Sequence, residues 1–386
     1  MTETPESWTG ETTLQARCSR KDLSDGVQTA ARAVSGHHPL PMLKNLMVSS
    51  EGTDSLRLLG SDLDFSISLS IPASISSAGA LSVPAKLFAE LLGSLNDESI
   101  QLRNDRSHST HVIAGHGSYR LVGLPPEDYP PLPELGDAVE VSVPQGALRS
   151  MIRQTAFAAS GDETRPILTG VLMDVTADTV TLVATDTHRL AVRRLPVEQA
   201  TGAAKAIIPA RAMNELLRVL TDGPEPVQIY VSASQALFRL PSGLGVQTRL
   251  IEGQYPNYQR VVPQESGRQV MLCTQPLLAA AKRAAIIART NADRMVLTTG
   301  EGVVTIVAEA QDEGKTQEDV EATCQGESLQ IAFNAKFIAE ALGVIDAEGI
   351  YLDLTDSLKP AVLRPVQPDA GPNDTYLCVL MPMQLT

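Results

Sequence analysis

The chain reads as an α+β protein made of three copies of one domain, each an antiparallel sheet with two helices. Three observations predict this. The stretch VPAKLFAELL from Val83 returns as IPARAMNELL from Ile208 and FNAKFIAEAL from Phe333. The copies keep a constant step of 125 residues: Pro84, Pro209 and Asn334 are in register, as are Lys86, Arg211 and Lys336, and Glu90, Glu215 and Glu340. Around every copy the apolar pattern alternates between period two and helical three-and-four spacing. A step this long exceeds the solenoid range of roughly 20 to 50 residues and marks triplicated domains.

Composition sets the bounds. At 386 residues the chain is long for one core. Its hydrophobic content of 43% with only 4% aromatic, including the single Trp8, predicts globular domains with aliphatic cores. Cys18, Cys273, Cys324 and Cys378 are widely separated, and no charged-then-apolar leader opens the chain, so a reducing cytoplasm is expected. No apolar run approaches the roughly 18 residues of a membrane span.

Residues 1–12, acidic and without periodicity, are expected to form a flexible tail. A strand LQARC then leads into a helix from Lys21 and Asp22 to Val34, with Leu23, Val27, Ala30, Ala31 and Val34 on one face. The same helix returns at Leu148 to Ala159 and at Leu277 to Ala288. The repeated ten-residue stretch supplies the second helix of each domain, with Pro or Asn at its start as a cap. Alternating runs at 56–71, 180–195 and 303–322 predict hairpins, and three further short strands close each domain. Pro-rich segments at 125–135 and 252–263 read as linkers. The expected domains are 13–137, 138–267 and 268–386.

Candidate chemistries are few. Thr185, Asp186, His188 and Arg189 lie together, but in strand alternation Thr185, Thr187 and Arg189 share one face and Asp186 and His188 the other, with no nucleophile motif. His108, His111 and His116 cross a hairpin with no completing Cys or carboxylate. The acidic stretch Glu309 to Glu321 lacks the pattern of a calcium loop and reads as exposed and mobile. Gly243 and Gly245 form no dinucleotide fingerprint, and no GxxxxGK phosphate loop occurs. No catalytic residue, metal or cofactor is expected.

Four motifs join the repeat: ATDTHRLAV at 184–192, YPNYQRVVP at 255–263, AAKRAAII at 280–287 and the terminal VLMPMQL. With them the chain, from Leu14 to Leu385, resembles the beta subunit of bacterial DNA polymerase III, the sliding clamp. The resemblance implies a non-catalytic processivity factor. It implies a head-to-tail homodimer, closed into a ring whose helices line a hole around double-stranded DNA, bound without sequence preference. The implied partners are the replicative polymerase, the clamp loader, and other polymerases and repair proteins that carry clamp-binding peptides.

Charge agrees with a DNA-lined hole despite the net −14, because the six helical segments sum to +7 and leave −21 for the rest. The DNA-facing set is Lys21, Arg32, Arg149, Arg153, Arg211, Arg218, Lys282, Arg283 and Lys336, for phosphate contacts rather than base readout. By pattern alone the same residues are ordinary solvated helix faces. In domain one, His37 and His38 occupy a loop where some relatives carry a DNA-touching arginine.

The resemblance also implies a groove for short apolar peptides between domains two and three. Its residues here are Leu168, Thr185, Thr187, His188, Leu190, Pro256, Arg260, Val261, Asn334, Ser357, Val379, Met381, Pro382, Met383 and Gln384. Thr187 stands where relatives commonly have Gly, Gln384 where they often have a basic residue, and Thr386 extends past the usual last Leu. By pattern alone the end of the chain is a last strand. Ile286 and Ile287 match the family's dimer contact, facing the Tyr119 and Leu121 strand of the second copy. A repeat-built enzyme or protein-only scaffold that never surrounds DNA, or a duplicate clamp with an altered groove, for example one that resists a groove-binding inhibitor, fits the same residues.

Overall fold

Each repeat folds in one order: strand, helix, four strands, helix, three strands. The computed structural model describes residues 14–36, 39–263, 265–366 and 375–385. The expected tail with Trp8, the His37–His38 pair and Thr386 lie outside the described residues.

The first repeat runs β1 Gln15–Ser19, α1 Arg20–Ala31, β2 Asn45–Glu51, β3 Ser55–Ser61, β4 Phe65–Ser77, β5 Ala80–Pro84, α2 Ala85–Ser94, β6 Ser99–Asn104, β7 Ser109–Ala114 and β8 Gly117–Val122. The second runs β9 Ala138–Pro144, α3 Gln145–Thr155, β10 Gly170–Val175, β11 Thr179–Thr185, β12 Arg189–Pro196, β13 Ala204–Pro209, α4 Ala210–Val219, β14 Pro226–Ser232, β15 Gln235–Arg239 and β16 Gly245–Arg249. The third runs β17 Arg268–Cys273, α5 Thr274–Ala288, β18 Arg294–Thr299, β19 Val303–Ala310, β20 Gly314–Gln325, β21 Gln330–Asn334, α6 Ala335–Gly343, β22 Gly349–Leu354, β23 Ala361–Pro365 and β24 Thr375–Leu380.

The repeated helix forms for local reasons. In α2, α4 and α6 the apolar positions Phe88, Met213 and Ile338 are buried one turn in, with Leu92, Leu216 and Leu342 beyond them. Asn334 caps α6 by accepting the N–H groups of Lys336 at 3.0 Å and Phe337 at 3.2 Å. Ser19 caps α1 through Asp22 N–H. The first helices begin earlier than expected, at Arg20, Gln145 and Thr274. Two of them end in tighter turns: Ala33 and Val34 donate to the carbonyls of Ala30 and Ala31, and Ala156–Ala158 is a 3-10 turn.

The chain divides into two compact units. The first takes the chain through Ala138 together with Pro226–Arg249. Its strand order is β8-β7-β6-β1-β4-β16-β15-β14, with β3, β2 and β5 continuing from β4. Leu23, Val27 and Ala30 of α1 and Phe88 and Leu92 of α2 pack with Leu46, Val48, Leu56, Leu58, Ile100 and Leu102 from the strands. Gly60 permits that closeness, since a Cβ there would sit 2.1 Å from the Ala30 carbonyl oxygen. The second unit, Val139–Glu225 with Leu250–Thr386, holds the order β13-β10-β11-β12-β24-β23-β22-β17-β20-β19-β18-β21.

Two joints between repeats are therefore made inside the units. In the first unit β4 pairs with β16, Phe65 opposite Thr248 and Ser68 opposite Gly245. In the second β12 pairs with β24, Leu190 opposite Val379 and Arg194 opposite Thr375. Strand β4 is long enough to pair along one side with both β16 and β1. The acidic stretch expected to be a mobile loop is instead mostly strand: β20 pairs with β19 along Gly314 to Glu321 and with β17 only from Ala322 to Gln325. Its charges alternate with Thr316, Val320 and Ala322, a pattern suited to an edge strand.

The β6–β7 turn illustrates how such short connections are held. Asp105 accepts from the Ser107 hydroxyl at 2.6 Å and from the N–H groups of Ser107 at 2.8 Å and Ser109 at 3.1 Å, and it faces His111 Nε2 at 3.0 Å. Burial by itself raises this carboxyl's pKa, but those bonds outweigh it and hold the group well below the usual carboxylate range. A depressed carboxylate stabilises the fold above its unfolded pKa of about 3.9 and loses that contribution as pH falls further. Asp105→Asn should accordingly lower the urea midpoint at neutral pH, and the gap from wild type should narrow once the pH drops below about 4.

Candidate peptide groove and basic helix faces

One apolar side chain from each of six strands meets on one face of the second unit: Leu172, Val183, Leu190, Ile207, Val362 and Val379. Strand alternation puts their sequence neighbours Met173, Leu182, Ala184 and Ala191 on the other face, where they too are buried. A sheet apolar on both sides needs cover on both. On this face the cover is partial: Ile167, Ile251, Tyr255, Tyr258 and Val262 pack at its margin.

Most of the expected groove residues surround this patch. Leu190 and Val379 are its buried floor, and Leu168 is buried on the 3-10 turn Pro166–Leu168 beside Ile167. Pro256, Arg260 and Val261 stand exposed on the linker that carries Tyr255 and Tyr258. Ser357 is half-buried on the loop before β23, next to Leu358, which is 71% exposed. The end of the chain leaves the strand after Leu380: Met381 N–H donates to the His188 carbonyl at 2.9 Å, and Met383 N–H to that of Ala332 at 2.8 Å. Met381, Pro382 and Met383 are thus half-buried between two tied points, with Gln384 exposed. Asn334 is occupied as the cap of α6.

The turn from β11 to β12 stands beside that chain end, since Arg189 pairs with Leu380. It is a turn and not continuous strand, so the expected alternation of Asp186 and His188 against Thr185, Thr187 and Arg189 does not run through it. Asp186 Oδ1 accepts from the N–H groups of His188 at 2.9 Å and Arg189 at 3.0 Å. Thr187 between them has φ +78°, and the first repeat holds Leu63 at φ +76° at the matching turn. This left-handed region disfavours side chains and β-branched ones most, which explains why glycine suits the position.

Arg189, set aside on sequence together with its neighbours, is buried at 8% exposure. Its Nε donates to Asp186 at 3.0 Å, another nitrogen to the Phe157 carbonyl at 2.7 Å, and a third pairs with Glu340. The guanidinium lies 5.1 Å from the Phe157 ring centroid and 4.5 Å from that of Phe337, on which His188 also stacks. No local pattern signals this cluster, because Glu340 is 151 residues from Arg189. The one available clue was the recurrence of Glu90, Glu215 and Glu340 in the repeat. Burial pushes the thiol of Cys378 behind the cluster up to about 12, so it stays protonated and unreactive at neutral pH. Among the described residues no group of His, Cys, Asp or Glu is arranged to hold a metal.

The basic residues divide in two. Lys21, Arg32, Arg211, Arg218, Lys282, Arg283 and Lys336 are exposed. Arg218 pairs with Glu215 at 3.1 Å, Arg149 with Asp222 at 2.8 Å, Arg153 with Asp346, and Arg283 grips Glu318 of β20 with two bonds. Lys21, Arg32, Lys282 and Lys336 make no ion pair among the described residues. Of the expected dimer residues, Ile286 is 55% exposed and Tyr119 is exposed, while Leu121 faces its own core; its neighbour Val122, not foreseen, is 67% exposed.

Family models for the DNA polymerase III beta subunit match most of the chain: the N-terminal domain at 14–133, the central domain at 142–257 and the C-terminal domain at 259–384. The chain belongs to the DNA polymerase III beta subunit family. Its fold and function class are those of the sliding clamps. It is 34% identical to the beta sliding clamp of Halalkalibacterium halodurans over 89% of this chain and 93% of that one, and 33% identical to that of Synechococcus elongatus over 95% and 98%. Among solved structures, the DNA polymerase sliding clamp of Bacillus subtilis superposes with a TM-score of 0.90 at 28% identity, covering 97% of this chain and all of the other. The DNA polymerase III beta subunit of Pseudomonas aeruginosa gives 0.89 at 28%, covering 96% and 100%.

The backbone at residue 187 generates a test. Thr187→Gly removes the left-handed penalty of a β-branched residue, so the urea midpoint should rise by the equivalent of about 1 kcal/mol. A fall would mean that the threonine side chain contributes more than its backbone costs.

Proposed function

We propose that two copies of this chain join head to tail into a closed ring that encircles duplex DNA and tethers DNA polymerase as its non-catalytic processivity subunit. The observation that carries this reading is a pair of open strand edges. The hairpin strand of the first repeat, β4, takes the last strand of the second, β16; β12 of the second likewise takes β24 of the third. The same pairing, applied once more, calls for β20 with β8. Among the described residues β8 pairs only with β7, and β20 from Gly314 to Glu321 only with β19.

Both edges suit a second copy. Val122 and Tyr119 offer apolar surface beside Arg120, and β20 offers exposed Asp319 and Glu321, with exposed Ile286 on α5. Open edges of this kind seek a partner strand. With three repeats from each chain, two such joints close the ring without leaving an edge.

The basic helices then supply phosphate contacts, chiefly through Lys21, Arg32, Lys282 and Lys336, whose cations pair with no carboxylate among the described residues. The domains of this reading are 13–137, 138–267 and 268–386, and its setting is the cytoplasm. The apolar patch bordered by His188, Val261 and Met381 receives short apolar peptides from polymerases, the clamp loader and repair proteins. Methionine on a rim suits several clients, because its side chain repacks at low cost.

Two measurements test these claims separately. The wild type should sediment as a dimer, and Val122→Asp with Ile286→Asp should give a folded monomer; a variant that stays dimeric would move the interface elsewhere. A labelled QLDLF-type peptide should bind the wild type in fluorescence polarisation. Met381→Ala with Val261→Ala should weaken it by about tenfold or more. Undiminished affinity in that variant would remove the groove assignment.

A further inference from the structure

We infer that Arg189 is a positioning residue for the groove: its buried guanidinium fastens the 186–188 turn to helix α6 and so sets where the rim stands. The inference rests on the peptide-groove reading above. With 8% exposure Arg189 offers little to a ligand; its polar groups join the turn that borders the groove to the helical layer behind the sheet. Asp186 is the turn itself, Glu340 and Phe337 belong to α6, and the Phe157 carbonyl belongs to the 3-10 turn after α3. A planar fork with five donors can serve three acceptors at once while stacked between two rings; an ammonium cannot.

The turn does not need an arginine to exist. In the first repeat Leu63 adopts φ +76°, and Asp62 accepts from the N–H of Phe65 at 2.8 Å, while Phe65 stands where the second repeat has Arg189. The third repeat starts the same strand with Gly314. The clamp is therefore confined to the one hairpin that borders the apolar patch. What it adds is attachment: His188 stacks on Phe337, and the His188 carbonyl takes the Met381 N–H at 2.9 Å, so fixing the turn fixes the chain end bonded to it.

The test uses Arg189→Lys, which keeps the charge but loses the fork, and Glu340→Gln, a near-isosteric change on the half-exposed partner. Each should weaken binding of the QLDLF-type peptide, by about tenfold and about threefold respectively, mainly through faster dissociation. The double variant should lose less than the product of the two. Hydrogen exchange supplies the readout that a merely structural role would not give: the Met381 amide should exchange faster while the β10 and β11 amides stay protected. Unchanged peptide affinity in both variants, or faster exchange throughout the sheet, overturns the inference. Should Arg189→Lys fail to fold, Glu340→Gln decides alone on the same two readouts. If the wild type binds no peptide, the groove reading fails, and Met381 exchange by itself decides whether Arg189 positions the rim.

Discussion

An antiparallel sheet that ends in a bare strand presents unpaired N–H and C=O groups, and most of this architecture follows from covering them. Each repeat ends on a short strand and exposes one side of its hairpin strand. Phe65 to Ser68 meets Gly245 to Thr248, and Arg189 to Arg194 meets Thr375 to Leu380. These joints carry both shape and site, because the patch of Leu190 and Val379 is the second joint seen from its face.

The two joints differ in what lies over them. At the first, Gln247 donates to the Pro133 carbonyl at 2.8 Å and Gln235 reaches that of Glu134, so the linker is fastened down onto the strands. At the second, the position register-equivalent to Gln247 is the buried Val379, which offers no such tie. The linker there leaves Pro256, Arg260 and Val261 exposed around apolar strands. One architecture thus yields a closed joint and an open one through the chemistry of two side chains.

Much of this was legible before any coordinates. The helices were readable because Phe88, Met213 and Ile338 each fill a core at the same step, so the signal for burial was written three times. Closing strands such as β6 and β14 were readable because one face of each is buried, which enforces period two. Failures had different sources. The resemblance says nothing of burial within one chain, so it named Leu121, which packs in its own core, and passed over Val122, which is 67% exposed. A strand in which most side chains are charged looks like a loop, which is how the edge strand β20 escaped. Arg189 escaped because its meaning comes from Phe157, Phe337 and Glu340, brought to it by the fold alone.

Gly314, where Arg189 stands one repeat earlier, has a mechanical consequence. Its φ of +113° belongs to glycine, so no arginine can stand there without strain, and Glu90, the counterpart of Glu340, lies 4.0 Å from Lys86 of its own helix. The joint between copies would then be the compliant one. It has neither chain continuity nor a buried cation bolt, whereas both internal joints lie within a single chain and one is bolted. In the proposed ring that joint is the one that yields first, and the distribution of a single residue type across three repeats sets it.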